Sequence, residues 1–450
     1  MRVAAGRAAI AIPSAPSAGQ LQPLPQDHKI TELDSGVRIV TAAMPSVRSV
    51  ALGYWIGTGS RGESEEQAGL SHLLEHLLFK GSERYGSTEI DEIFDGMGAE
   101  LNAGTGKETT SVYARVIDDH LEKAVDVMSD MVFRPTLTDI DSERAVILEE
   151  IAMYEDDPQD KVFDVLGTAV FGENPLGRAI IGRAQVVAET PVDQIAAFHS
   201  DRYRPENVVI AAAGSVDHDA LVEMLRTRLP QEARAGDDAS QVTPSTDPRV
   251  CFEVKDTEQY HVCLGTLGLA RDDDRRFGLR LLDTVLGGSS SSRLFQEVRE
   301  KRGLAYSVYS FSSHYAGTGQ AGVYVGTRAD NLAEAFSVVG TELERIREEP
   351  VGADELARAR ENLKGRMLLS LESTSARMNR LGASLITQVP ILSVEEAVEK
   401  IDAVTADEIE ALAAEIYAPA RLSAAGIGPD EDAFRAAVPE VGVAAVAGSA

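Results

Sequence analysis

A pattern that occurs twice constrains this chain more than any other feature. Residues 49–82 read "SVALGYWIGTGSRGESEEQAGLSHLLEHLLFKGS", and residues 260–289 read "YHVCLGTLGLARDDDRRFGLRLLDTVLGGS". Each stretch is a β-rich run, a glycine, a polar loop and then a helical run led by Gly-Leu. Aligning Gly69-Leu70 with Gly278-Leu279 sets Leu281 opposite His72, Thr284 opposite Glu75 and Val285 opposite His76. We therefore expect an internal duplication in which only the first copy carries a polar triad. Strands and helices alternate along both copies, which places the chain in the α+β class.

Boundaries follow from composition. The 450 residues exceed one typical core, so two domains of about 200 residues are expected. Residues 1–27 are rich in Ala, Ser and Pro and read as a disordered leader. Patterning begins at His28. Residues 231–249 are polar, carry Pro244 and Pro248, and read as a linker. This divides the chain into a first domain, 28–230, and a second, 250–440, with a frayed Ala/Ser-rich tail at 441–450. "GVRIVTAAM", "SVALGYWIGTG" and "ENVVIAAAGSV" read as strands, and "GAELNAGTGKETTSVYARV" as a strand pair or one interrupted strand. "DDHLEKAVDVMSDMVF" and "TDIDSERAVILEEIAMYEDD" read as helices.

Charge removes some function classes. The formal net charge is −29, against the basic surface that nucleic-acid binding requires. It suits a basic peptide as partner, through long-range attraction. No run approaches the roughly 18 apolar residues that span a bilayer. Two cysteines, Cys251 and Cys263, make no disulfide scaffold. They read as a reduced pair, with facing positions on neighbouring strands as the alternative. Arg7 interrupts the apolar stretch of the leader, which argues against a secretory signal. A cytoplasmic location is expected, or an organellar one if residues 1–27 are a transit peptide.

The stretch "GLSHLLEHLLFKGS" carries the chemistry. At about 100° per residue, His72, Glu75, His76 and Phe79 fall on one stripe of a helix. Leu70, Leu73, Leu74, Leu77 and Leu78 take the other side. Histidines at i and i+4 point the same way and can bind one zinc ion. Glu75 lies on the same face, placed to take a proton from a water that the metal activates. The spacing His-x-x-Glu-His is the inverted form of the commoner zinc-protease motif. A catalytic zinc needs a third protein ligand. In the acidic helix at 139–157, Glu143, Ile147, Glu150 and Tyr154 share a stripe, with Glu149 about 100° away from Glu150. Periodicity alone does not choose between Glu149 and Glu150.

Together, "GLSHLLEHLLFKGS", "GAELNAGTGKETTSVYA", "ERAVILEEIAMYEDDP" and "GSSSSRLFQEVREKRGLAYSV" resemble the pitrilysin family of zinc peptidases, over about residues 30 to 430. The nearest branch is that of the short bacterial members related to the mitochondrial processing peptidase beta subunit. The resemblance implies one zinc per chain, held by His72, His76 and Glu150, with Glu75 as general base and Glu143 supporting the site. It implies that Arg299 and Tyr306 of "REKRGLAY" hold the substrate backbone. It further implies that Asn102 and Ala103 lie on an edge strand that takes up extended peptides. The implied fold is two related halves, each an antiparallel sheet packed with helices, closing as a clamshell dimer around a chamber. A homodimer is expected first, with a heterodimer with a related chain as the alternative. The implied activity is metalloendopeptidase action on extended or unfolded peptides. The rival reading is a non-catalytic or partner-dependent subunit, like the core proteins of respiratory complexes.

Overall fold

The computed structural model of the chain describes residues 28–232, 244 and 247–443. Two sheets organise it. The first contains β1 (Lys29–Glu32), β2 (Arg38–Ala43), β3 (Ser49–Ile56), β4 (Glu100–Thr105), β5 (Thr110–Ile117) and β6 (Val208–Gly214), in the order β1-β2-β6-β3-β5-β4. The second contains β7 (Val250–Val254), β8 (Gln259–Gly268), β9 (Ala305–Tyr315), β10 (Thr318–Arg328) and β11 (Ser423–Gly428), in the order β7-β11-β8-β10-β9. With β1 set aside, the two orders match strand for strand, and so do the pairing senses. The sequence echo therefore has a counterpart in a repeated topology.

The expectation of antiparallel sheets holds for every pair but one in each sheet. β2 pairs with β6, and β7 with β11, in parallel. In both halves the chain travels through several helices before the last strand returns, which is long enough for a parallel crossover.

Alternation along the strands supplies two apolar faces to each sheet. In the first sheet, Leu52, Tyr54 and Ile56 of β3 and Val112 and Ala114 of β5 face one core, where helix Leu70–Leu77 packs through Leu70, Leu73, Leu74 and Leu77. The opposite face presents Val40, Ala51, Val209, Ala211 and Ala213. That face is covered by helix Thr374–Ile386, through Met378, Leu381 and Ile386, although this helix lies in the second half of the chain. The second sheet is covered reciprocally. Helix Pro158–Phe171 of the first half lays Val162, Leu166, Ala169 and Phe171 on Cys263, Tyr324, Ala425 and Ile427. Each half thus lends one helix to the other's sheet.

Three sequence expectations change. Cys251 and Cys263 do not lie on neighbouring strands, because Ala425 of β11 pairs with both and stands between them. Two strand spacings make about 10 Å, beyond the roughly 7 Å Cα separation that a disulfide can close. Val441 and Val443 are 4% and 2% exposed and belong to the second core, so the tail expected from residue 441 does not begin there. The hairpin reading of "GAELNAGTGKETTSVYARV" is the one observed, as β4 and β5. The leader 1–27 and most of the 231–249 linker lie outside the described residues.

Candidate active site

Helix Leu70–Leu77 is short, and its start is set by two features. Gly69 adopts φ 109°, a left-handed conformation that glycine accepts without steric cost. The carboxylate of Glu63, 4% exposed, accepts hydrogen bonds from the backbone N–H of Gly69 at 2.9 Å and Ser71 at 2.7 Å. This satisfies helix donors that would otherwise be buried without partners. With the leucine side buried, His72, Glu75 and His76 emerge on the flank that faces helix Ile140–Asp156.

That second helix delivers Glu150 to the two imidazoles. His72 Nε2 lies 3.7 Å from Glu150 Oε1, and His76 Nε2 lies 3.5 Å from Glu150 Oε2. One atom from each of the three residues falls within a 4.8 Å cluster, among the described residues. Glu149 is exposed, on the other flank. Burial, with His76 beside it, pushes the His72 imidazole down to about 4, so the ring is held neutral, as a metal ligand must be. Donors about 2.1 Å from a tetrahedral zinc ion stand roughly 3.4 Å apart, so two imidazole nitrogens and a carboxylate oxygen at these separations fit that ion. Side-chain exposure rises from 12% at His72 to 23% at His76 and 45% at Glu150, which marks the open side.

Glu143, one helical stripe behind Glu150, turns to the outer nitrogen of His76: its Oε2 is 3.3 Å from Nδ1. Lys80 Nζ binds its other oxygen at 2.7 Å. Glu143 therefore orients His76 without joining the three-donor cluster, the arrangement by which outer carboxylates fix a ligand's tautomer. Glu75, on the same flank, turns toward β4. Burial pushes its carboxyl above the ordinary range, and a hydrogen bond from Thr105 Oγ1 at 2.5 Å opposes the shift. Thr105 ends β4, the outer strand of the first sheet, so sequence position alone gave no sign of its role.

Among the described residues, the outer side of β4 has no strand partner. Asn102 and Ala103 pair with Tyr113 and Val112 of β5. The Asn102 side chain accepts from the Ala103 N–H at 2.8 Å, closing over a donor that points away from β5. A cavity of about 620 Å³ opens beside this strand, lined by His72, Glu75 and Glu150 on one side and by Tyr309, Phe311 and Tyr315 of β9 on the other. Lys107 and Asp164 also line it. Asp164 Oδ2 is buried without a hydrogen-bond partner, and burial raises its carboxyl. Sequence reasoning missed both residues, because neither belongs to a periodic motif.

Arg299 and Tyr306 meet each other but not the histidines. Arg299 Nη1 donates to the Tyr306 carbonyl at 3.0 Å, and its guanidinium lies 4.3 Å from the Tyr306 ring centre. Tyr306 is 75% exposed, and neither residue lines the cavity at His72.

Comparisons with known proteins identify the family of the chain. Residues 38–184 match the model of insulinase (peptidase family M16), and residues 191–363 that of the peptidase M16 inactive domain. An uncharacterised zinc protease of Streptomyces coelicolor is 43% identical over 412 residues, covering 89% of this chain and 90% of that protein. The chain belongs to peptidase family M16, the pitrilysin family of zinc proteases. A Bacillus subtilis relative, the uncharacterised zinc protease YmxG, is 39% identical over 401 residues, covering 88% of this chain and 98% of that one. Among solved structures, a protease from Helicobacter pylori shares the fold at TM-score 0.84 and 20% identity, over 90% of this chain and 100% of that one. The M16 inactive domain protein of Pseudomonas fluorescens does so at TM-score 0.83 and 22% identity, over 90% and 98%. His72, Glu75 and His76 lie in the first matched segment, and the second covers the half in which Leu281, Thr284 and Val285 stand at the corresponding positions. Among the described residues, no helix is long and apolar enough to cross a membrane.

Proposed function

We propose that this M16 chain is a zinc-dependent endopeptidase that hydrolyses extended or unfolded peptides, in the manner of a processing peptidase. The observation that carries the reading is the convergence of His72, His76 and Glu150 within 4.8 Å, with Glu75 beside them and an open edge strand alongside. His72, His76 and Glu150 hold one zinc ion. Bound there, the ion supplies Lewis-acid polarisation of water and of the scissile carbonyl. Glu75 takes a proton from the attacking water and delivers it to the leaving amine as the C–N bond breaks, so the products are a carboxylate and an amine. Glu143 keeps His76 oriented. The peptide lies along β4, displacing the Asn102 side chain from the Ala103 N–H, so that backbone hydrogen bonds align any sequence.

Arg299 and Tyr306 bind peptide carbonyls from the second half of another chain, which closes the chamber. That neither residue lines the cavity within one chain supports this over an intramolecular role. Two copies of this chain suffice, because it carries both the metal residues and the Arg-Tyr pair; a related chain is the alternative partner. Asp164 on the cavity wall and the net charge of −29 support basic segments as substrates.

The test compares wild type with Glu75→Gln, measuring bound zinc and cleavage of a fluorogenic basic peptide. One zinc per chain in both, with cleavage in wild type only, is the expected result. Equal cleavage by both would remove Glu75 from the chemistry, and absence of zinc from both would leave the family fold without its reaction.

A further inference from the structure

The hairpin that joins β4 to β5 is held from both halves of the molecule. On the first half, Ser60 N–H donates to the Gly106 carbonyl at 3.2 Å and Arg61 N–H to the Lys107 carbonyl at 2.7 Å. A side chain at Gly59 would meet the Gly106 oxygen at 2.3 Å, so the two segments lie in direct contact. On the second half, the hairpin is attached through the Glu108 carboxylate. Glu108 accepts from the Ala316 N–H at 3.1 and 3.3 Å, in the turn between β9 and β10. It accepts from Arg61 Nη1 at 2.6 Å and lies 3.4 Å from Arg271 Nη1. Arg61 Nη1 also donates to the Ala316 carbonyl at 2.9 Å. The Glu108 side chain is 14% exposed, Arg61 11% and Arg271 20%. A carboxylate shared between two guanidiniums and a backbone N–H, largely shielded from water, is a strong and directional joint.

The same hairpin carries Thr105, whose hydroxyl holds Glu75. Only Gly106 and Lys107 separate the joint from the residue that orients the general base. Accepting the hydrolytic reading above, we infer that Glu108 is a positioning residue. It locks the β4–β5 hairpin to the second half of the chain, and through Thr105 it keeps the Glu75 carboxylate aimed for proton transfer. Docking of the second half and orientation of the base are then one event. A hairpin freed from Ala316 and Arg271 keeps only its first-half bonds, so Thr105 is held less firmly and Glu75 loses part of its fixed orientation. Misplacement of a reacting group by about 1 Å costs on the order of 10²-fold in rate.

The experiment uses the full chain, with Glu108→Ala, Thr105→Val, Thr105→Ser and the double variant Glu108→Ala/Thr105→Val. Glu75→Gln serves as control. Backbone hydrogen exchange over residues 100–110 is read on metal-free protein, and kcat, KM and zinc content on loaded protein. Glu108→Ala is expected to speed exchange in the hairpin by about tenfold or more and to lower kcat by about 10- to 100-fold, with KM and zinc content held. Thr105→Val lowers kcat similarly, Thr105→Ser recovers most of it, and the double variant loses no more than the worse single one. Losses that multiply, or faster hairpin exchange at unchanged kcat, would overturn the relay. If Glu108→Ala does not fold, Glu108→Gln carries the same readouts, because it removes the charge and keeps the size. Retained activity in Glu75→Gln overturns the assignment of Glu75 as the base on which the relay rests; an inactive Glu75→Gln beside a fully active Thr105→Val overturns the relay alone.

Discussion

Glu143 shows how much a single carboxylate can do without being a ligand. It is 4% exposed and paired to Lys80 and His76 at once, so its charge is compensated and its geometry fixed. Replacing it with glutamine keeps the volume but weakens the hold on His76 Nδ1. Glu143→Gln is therefore expected to lower zinc affinity by about 10- to 100-fold, measured by competition with a chelator, with cleavage recovering at saturating zinc. The neighbouring residues explain what could be read locally. His72, Glu75 and His76 were legible because helical periodicity alone puts them on one stripe. Glu149 and Glu150 were not separable that way, since both are one helix step apart on an acidic surface. The approach of helix Ile140–Asp156 to helix Leu70–Leu77 makes the choice, and it brings Glu150 forward.

At the scale of elements, helix Leu70–Leu77 depends on a contact between two glycines. Gly182 has φ +82°, and a Cβ there would stand 2.2 Å from Gly69 Cα, at the start of helix Leu70–Leu77. Gly182→Ala should displace that helix start, lowering Tm by about 5 °C or more and weakening zinc binding, by calorimetry and metal titration. Gly365→Ala is the control: it lies within helix Ala353–Ser370 with open space around its Cβ, and should be neutral or slightly stabilising. The seam between helix Arg276–Leu286 and β9 gives a second prediction. Burial raises the Asp283 carboxyl to about 7, against the opposing hydrogen bond from Ser312 Oγ at 2.5 Å. Its unfolded value is about 3.9. A raised folded pKa means that its contribution is fully present below about 4 and is lost as pH climbs through about 7. Asp283→Asn should therefore gain on wild type in Tm between pH 5 and pH 8, with the gap widest at the alkaline end.

For the whole molecule, the exchange of helices has the largest consequence. Helix Pro158–Phe171 buries its apolar face on the second sheet, and helix Thr374–Ile386 buries its own on the first. A chain cut within 231–249 leaves each piece with a bare sheet face and an uncovered helix. Residues 28–230 or 250–443 expressed alone should aggregate or remain partly folded, and the two co-expressed should form a stable complex, by size exclusion and circular dichroism. The linker position read from composition therefore divides the sequence without dividing the structure into independently stable bodies. It also explains why a cavity beside the metal residues is walled by β9: the lent helix draws the second sheet against the first half.

The sequence by itself determined what depends on neighbours along the chain. It set the leucine and histidine sides of one helix, the strand character of residues 98–116, the acidic stripe of Glu143 and Glu150, and a repeat that predicted two matching sheets. These are local periodicities, and burial enforces them wherever the helix or strand comes to lie. Tertiary structure alone decided Thr105 on Glu75, Glu108 between the halves, the separation of Cys251 from Cys263, and the helix exchange. Each of these is a meeting of segments far apart in sequence, and such a meeting leaves no period in the chain to read.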